Sequence, residues 1–136
     1  MEKAIFKHIE TILREYPDID IYLHKRRQEL MHPFNTSVDE NIGGGRSNVP
    51  GKPVEEMAIS IADDRQLAGL EDNKIVIAEC MQMVDDETKR LIEELYFKKH
   101  PMLTLRGVAD QLHSNKTTLS KKRTIFFELI KSRKGW

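Results

Sequence analysis

Apolar residues recurring three and four positions apart, in one run after another, constrain this chain most strongly. Ile5, Phe6, Ile9, Ile12, Leu13 and Tyr16 share one face of a helix, and Pro17 stops the run. Asp18 is placed to cap a second helix carrying Ile19, Tyr22, Leu23, Arg26 and Leu30, which Pro33 ends. The two read as a helical hairpin. Val54, Met57, Ala58 and Ile61 form the stripe of a third helix, with Pro53 in its first turn and Glu55 and Glu56 near its positive end. After a break at Gly69–Asn73, Ile75, Ala78, Met81 (or Met83) and Val84 mark a fourth. Asp85 or Asp86 caps a fifth, with Leu91, Ile92, Leu95 and Tyr96 inward and an end near His100 and Pro101. No stretch alternates with period two for long enough to make a strand, and no repeat is present. The expected fold class is all-α.

Between the second and third helices runs a long loop, residues 32–52, with Asn35, Ser37, Gly43-Gly44-Gly45, Ser47-Asn48 and Pro50-Gly51. Structureless loops of that length usually carry function, so Asn41 to Arg46 is expected to contact a partner. The expected division is an N-terminal helical region, 1–84, and a C-terminal domain, 85–136. No run approaches about 18 apolar residues, which excludes a membrane-spanning helix. Glu2 and Glu10 make a secretory signal unexpected. Cys80 is the single cysteine, so no disulfide framework or cysteine zinc site is available. In its apolar helix it reads as buried and inert, and the compartment as reducing, hence cytoplasmic.

The 22 basic and 22 acidic residues sum to zero, but not evenly along the chain. Residues 1–80 carry −5 and residues 81–136 carry +5. From Lys98 onward, 10 basic residues face only Asp110 and Glu128. Such asymmetry points to nucleic acid or a membrane surface, or else to a solvated basic end. Position decides between them.

Thr104 can cap a short helix, Leu105 to Leu112, with Leu105, Val108, Ala109 and Leu112 on its buried side. His113-Ser114-Asn115 makes a polar break, and a further helix runs from about Lys116 to Ser132 with Leu119, Ile125, Phe126, Leu129 and Ile130 inward. Short helix, tight turn and basic second helix form a helix-turn-helix pattern, in which Ala109 permits a close crossing. Its second helix would present Lys116, Thr117, Thr118, Ser120 and Lys121 to base edges in the major groove, with Lys122 and Arg123 placed for phosphates or bases. A start at Ser114 would bury Lys121; a start at Asn115 buries Leu119 and frees Lys121. The second register is expected, because an unpaired buried lysine is costly. The bland alternative is a helical hairpin with a solvated basic face.

Leu91-Ile92, Tyr96-Phe97, Thr104-Leu105, Val108-Ala109 and the Ser114 turn together resemble region 4 of sigma-70-type factors, a helix-turn-helix that reads promoter DNA. Ahead of it stand Tyr16-Pro17, Glu29-Leu30-Met31-His32-Pro33-Phe34, Asp39-Glu40-Asn41-Ile42-Gly43-Gly44 and Glu55-Glu56-Met57-Ala58. In that order they resemble the RinA-type phage transcriptional activators, with the ArpU-type late regulators as near neighbours. The resemblance covers roughly residues 8–131. It implies a DNA-binding activator of phage or prophage late genes, acting at a promoter in the bacterial host's cytoplasm. Double-stranded DNA is the implied partner, host RNA polymerase a second, and a homo-oligomer is in keeping with paired half-sites.

Enzyme readings fare poorly. Gly51-Lys52-Pro53 lacks the hydroxyl of a P-loop, and His8, His24, His32, His100 and His113 show no ligand spacing. Asp63-Asp64 and Asp85-Asp86 read as helix caps and solvated ends. Lys25-Arg26-Arg27 either touches DNA backbone or solvates a helix. No catalytic constellation, metal site or cofactor is expected. Two other classes stay open: a small terminase-like DNA-packaging protein, and a polymerase-binding modulator that never touches DNA.

Overall fold

Four of the helices among the described residues begin at a side-chain cap: Asp64, Asp85, Thr104 and Asn115 each accept a backbone N–H three residues on. The computed structural model describes residues 1–32, 60–61 and 64–136. Helix α1 spans Lys3–Glu15 and yields at Pro17 to one 3-10 turn, Tyr16–Asp18, with α2 following directly over Ile19–Met31. Helix α3 spans Arg65–Gln82, and α4 spans Asp86–Ile92 before continuing as a π-helical turn, Glu93–Phe97. Helices α5, Leu105–Gln111, and α6, Lys116–Lys134, complete the chain. Every regular element among the described residues is helical, so the fold class is all-α. The expected helix from Pro53, the glycine cluster at Gly43–Gly45 and Asp63 lie outside the described residues.

The expected break at Gly69–Asn73 does not occur: α3 runs straight through it. One glycine costs a helix about 1 kcal/mol relative to alanine, too little to interrupt a helix held by its neighbours. Those neighbours are visible. Glu71 pairs with Arg27 at 2.8 Å, while Asp72 and Asn73 both accept hydrogen bonds from Lys134 Nζ.

The chain forms two compact units, Met1–Ile19 with Asp72–Trp136, and Asp20–Glu71. In the second, Arg26 grips Asp64 through Nε at 3.0 Å and Nη2 at 2.6 Å. Asp64 Oδ2 also accepts the Leu67 N–H at 2.7 Å, so it caps the start of α3. The Arg26 hydrogen bond, then that of Leu67, holds the Asp64 carboxyl down at about 2. Arg26 and Arg27 thus have intramolecular partners, in favour of the structural reading of that basic triplet.

In the first unit, Ile9, Ile12 and Leu13 from α1 share one core with Val76, Ile77 and Cys80 from α3, Ile92 and Tyr96, and Phe126, Phe127 and Ile130 from α6. A sequence division at residue 84 separates α1 from this core; the packing unites them. Two inward assignments are corrected here. Ile75 is 58% exposed and Ile125 is 65% exposed, whereas Val76, Ile77 and Phe127 are buried in their place. Helical spacing leaves the phase uncertain by one residue, and only the partner surfaces select it. Met83 also lies outside, while Met81 packs against the core. Cys80 is buried as expected, and burial pushes its thiol pKa up.

A smaller second core joins α4, α5 and α6: Leu91, Val108, Ala109 and Leu119, flanked by Leu95, Leu103, Leu105 and Leu112. Asp85 anchors it. Its Oδ1 accepts the Thr88 N–H at 2.9 Å and the Thr88 hydroxyl at 2.6 Å, while its Oδ2 takes Lys122 Nζ at 2.6 Å. Lys122 first, then Thr88, holds the Asp85 carboxyl far below its usual range. A carboxyl depressed on folding adds stability that is present above its unfolded value, near 4, and is lost as pH falls below that. Asp85→Asn keeps the cap but removes the charge. The variant should show a flatter fall in denaturant midpoint below about pH 4 than the parent chain.

Candidate nucleic-acid interface

Two side-chain caps and one left-handed residue build the segment from Thr104 to Lys134. Thr104 Oγ1 accepts the Gly107 N–H at 3.2 Å, and Asn115 Oδ1 accepts the Thr118 N–H at 2.7 Å. Between them the chain reverses at His113, whose φ of 54° is the left-handed conformation that normally falls to glycine at a helix end. Ser114 N–H closes the turn on the Ala109 carbonyl at 2.9 Å. His113→Gly should therefore raise stability by about 0.5–1 kcal/mol, read as a higher melting temperature. Leaving the melting temperature unchanged or lower would show that the His113 side chain makes up for its own strain.

Asn115 as the cap puts Leu119 fully inside and leaves Lys121 exposed, the register that the cost of burying lysine favoured. Lys116, Thr117 and Lys121 are exposed at the start of α6, with Thr118 and Ser120 half-buried. Neither lysine has an ion-pair partner among the described residues. Thr124 continues the outward stripe, seven residues beyond Thr117, and its hydroxyl donates to the Ser120 carbonyl at 3.0 Å. It is legible in the helical period but lies one residue past the expected set. Arg106 of α5 adds an exposed cation.

Lys122 and Arg123 do not join this face, which corrects their expected placement. Lys122 Nζ is held between Asp85 and Glu87, each at 2.6 Å, and this raises its pKa. Arg123 turns toward α1 and the end of α4. Its guanidinium lies 5.1 Å from the centre of the Phe6 ring, and Nη1 donates to the Tyr96 hydroxyl at 3.3 Å. That hydroxyl in turn donates to Glu10 Oε2 at 2.7 Å. Burial, then the Glu10 bond, pushes the Tyr96 phenol up to about 12, so it stays a neutral donor. Arg123 Nε is buried without a hydrogen-bond partner among the described residues. Nothing local in the sequence announces these contacts, because Glu10 and Tyr96 lie 86 residues apart.

The basic end is thus less basic than its composition. Lys98 pairs with Glu94 at 2.7 Å, Arg133 with Glu79 at 3.3 Å, and Lys134 with Asp72. Among the described residues no group of three His, Cys, Asp or Glu side chains is arranged to hold a metal ion. No helix among them is long and apolar enough to cross a membrane.

Fold and surface define an all-helical protein whose last long helix opens on an exposed Lys/Thr stripe. A family model described as "Protein of unknown function (DUF722)" matches residues 5–132, and the chain belongs to that family. No curated protein and no solved structure matches it.

Proposed function

We propose that the chain is a sequence-specific DNA-binding regulator of the RinA type, an activator of phage or prophage late genes acting in the bacterial cytoplasm. One observation carries the reading. Two capped helices, α5 and α6, meet through a short turn over a shared apolar core, and the second opens with outward Lys116, Thr117 and Lys121. This is the arrangement a helix-turn-helix needs to lay its second helix in the major groove. Ser120 and Thr124 extend the same stripe with hydroxyls suited to phosphates or base edges. Exposed Arg106 on α5 suits a first helix that crosses the DNA backbone. Host RNA polymerase is the proposed second partner, on the resemblance to sigma-70 region 4 alone.

Three exposed cations, Arg106, Lys116 and Lys121, set the electrostatic scale. Three neutralised phosphates give a slope of about −2.7 in log affinity against log salt, or about 40-fold weaker binding at 200 mM than at 50 mM. A slope near twice that reports two copies on paired half-sites. Retention of promoter DNA in a gel, measured across this range, checks the value. A protected promoter in a footprint of DNA flanking the gene separates a regulator from a packaging protein. Salt-insensitive or absent retention would defeat the proposal.

A further inference from the structure

Away from the α5–α6 stripe, a cleft of about 330 Å³ lies between the last turn of α1 and the chain that leaves α4. Arg14, Lys98 and Lys99 contribute three cations to its wall against one acid, Asp18, and Tyr96 and Phe97 contribute aromatic surface. The size is that of a small-ligand site, and the lining is an aromatic surface with converging charge.

The cations retain capacity. Among the described residues Arg14 reaches one carboxylate, Glu10, at 3.9 Å, the outer limit of an ion pair, and its guanidinium lies 5.3 Å from the centre of the Tyr96 ring. Most of its fork of donors is therefore uncommitted. Lys99 is exposed and has no ion-pair partner among the described residues. Lys98 shares Glu94 with Arg90, so that carboxylate is already divided between two cations. Phe97 is set against Tyr16 with ring centres 5.1 Å apart, which fixes the aromatic edge of the cleft. A phosphate matches the guanidinium fork with an ammonium beside it, and a planar ring matches the aromatic side.

We propose that this cleft binds a nucleotide phosphate, with Arg14 and Lys99 holding the phosphate and Phe97 facing the base. The same chemistry has two sources, a free mononucleotide or the backbone of bound nucleic acid. Only the second rests on the DNA reading above.

Calorimetric titration of the full chain with adenosine monophosphate, inorganic phosphate and adenosine tests the first source. Saturable binding is expected with the monophosphate, tighter than with either half alone. In the variant Arg14→Gln/Lys99→Gln it should weaken at least about tenfold. Both side chains are exposed, so circular dichroism should match the parent; Lys99→Gln alone serves as the second variant. If the source is the backbone, the monophosphate does not saturate. The parent's salt slope of DNA retention is then about −4.5, from five cations rather than three, and the double variant lowers it by about two, with Lys116 and Lys121 untouched. Either result supports the cleft as a phosphate site. The proposal is overturned if the variants change neither the titration nor the slope. If the parent chain retains no DNA yet still binds the monophosphate through Arg14 and Lys99, the DNA reading fails and this one stands.

Discussion

Replacing Phe127 with alanine should lower stability by about 3–5 kcal/mol, the largest single effect expected in the chain. Phe127 is 0% exposed, and its ring centre lies 4.7 Å from that of Phe6, 5.9 Å from Tyr96 and 6.5 Å from Phe126. It therefore touches α1, the end of α4 and its own helix at once. Removing it opens a cavity that rigid helices close only in part, and tilted aromatic pairs are lost beyond the buried area. A domain of this size has about 5–15 kcal/mol in total, so the variant should unfold at a much lower urea concentration or fail to accumulate. Phe127→Leu, which keeps most of the volume, should cost clearly less and keeps the test readable if the alanine variant does not fold. Ile125→Ala is the matched control: at 65% exposure it should shift stability by less than about 0.5 kcal/mol. Equal losses at positions 125 and 127 would mean that the phase of α6 is wrong.

Charge reversal at Lys116 and Lys121 together should weaken DNA retention by about 50-fold or more at 0.1 M salt, with helicity and melting temperature preserved. Both side chains are exposed and have no ion-pair partner among the described residues, so folding has little to lose. Lys122 and Arg123 should behave in the opposite way. Lys122→Ala removes the cation shared by Asp85 and Glu87 and should cost stability while leaving retention nearly intact. Arg123→Met removes the cation over Phe6 and the Nη1 bond to the Tyr96 hydroxyl while keeping an apolar chain of similar reach, so it too should cost stability and leave retention nearly intact. If Arg123→Met abolished retention in a chain that still folds, the reading face would have to be moved around α6.

The caps were open to sequence reading because they are local. Thr104, Asn115 and Asp85 each accept from a backbone N–H three residues on, a relation that residue type and spacing express directly. The Asn115 register was also legible, since burying Leu119 and burying Lys121 differ greatly in cost. The phase of an apolar stripe was less so. Ile75 and Val76, or Ile125 beside Phe126 and Phe127, are equally apolar to a helical period, and the choice belongs to the surfaces they meet. The candidate site divided along the same line. Exposure of Lys116, Thr117 and Lys121 follows from register alone, whereas the loss of Lys122 and Arg123 from the face required Asp85, Glu87, Tyr96 and Phe6 to be brought to them.

What the sequence determined by itself, then, is a chain of helices, the caps that start the last three of them, and a short helix followed by a long one that opens with Lys and Thr. Those features depend on side chains acting within one turn of their own backbone. Tertiary structure decided that α1 completes the core of the C-terminal helices, that α3 runs unbroken through Gly69, and which cations at the basic end remain unpaired. Each of these joins groups tens of residues apart, where the energy of a contact depends on distance and exposure rather than on order along the chain.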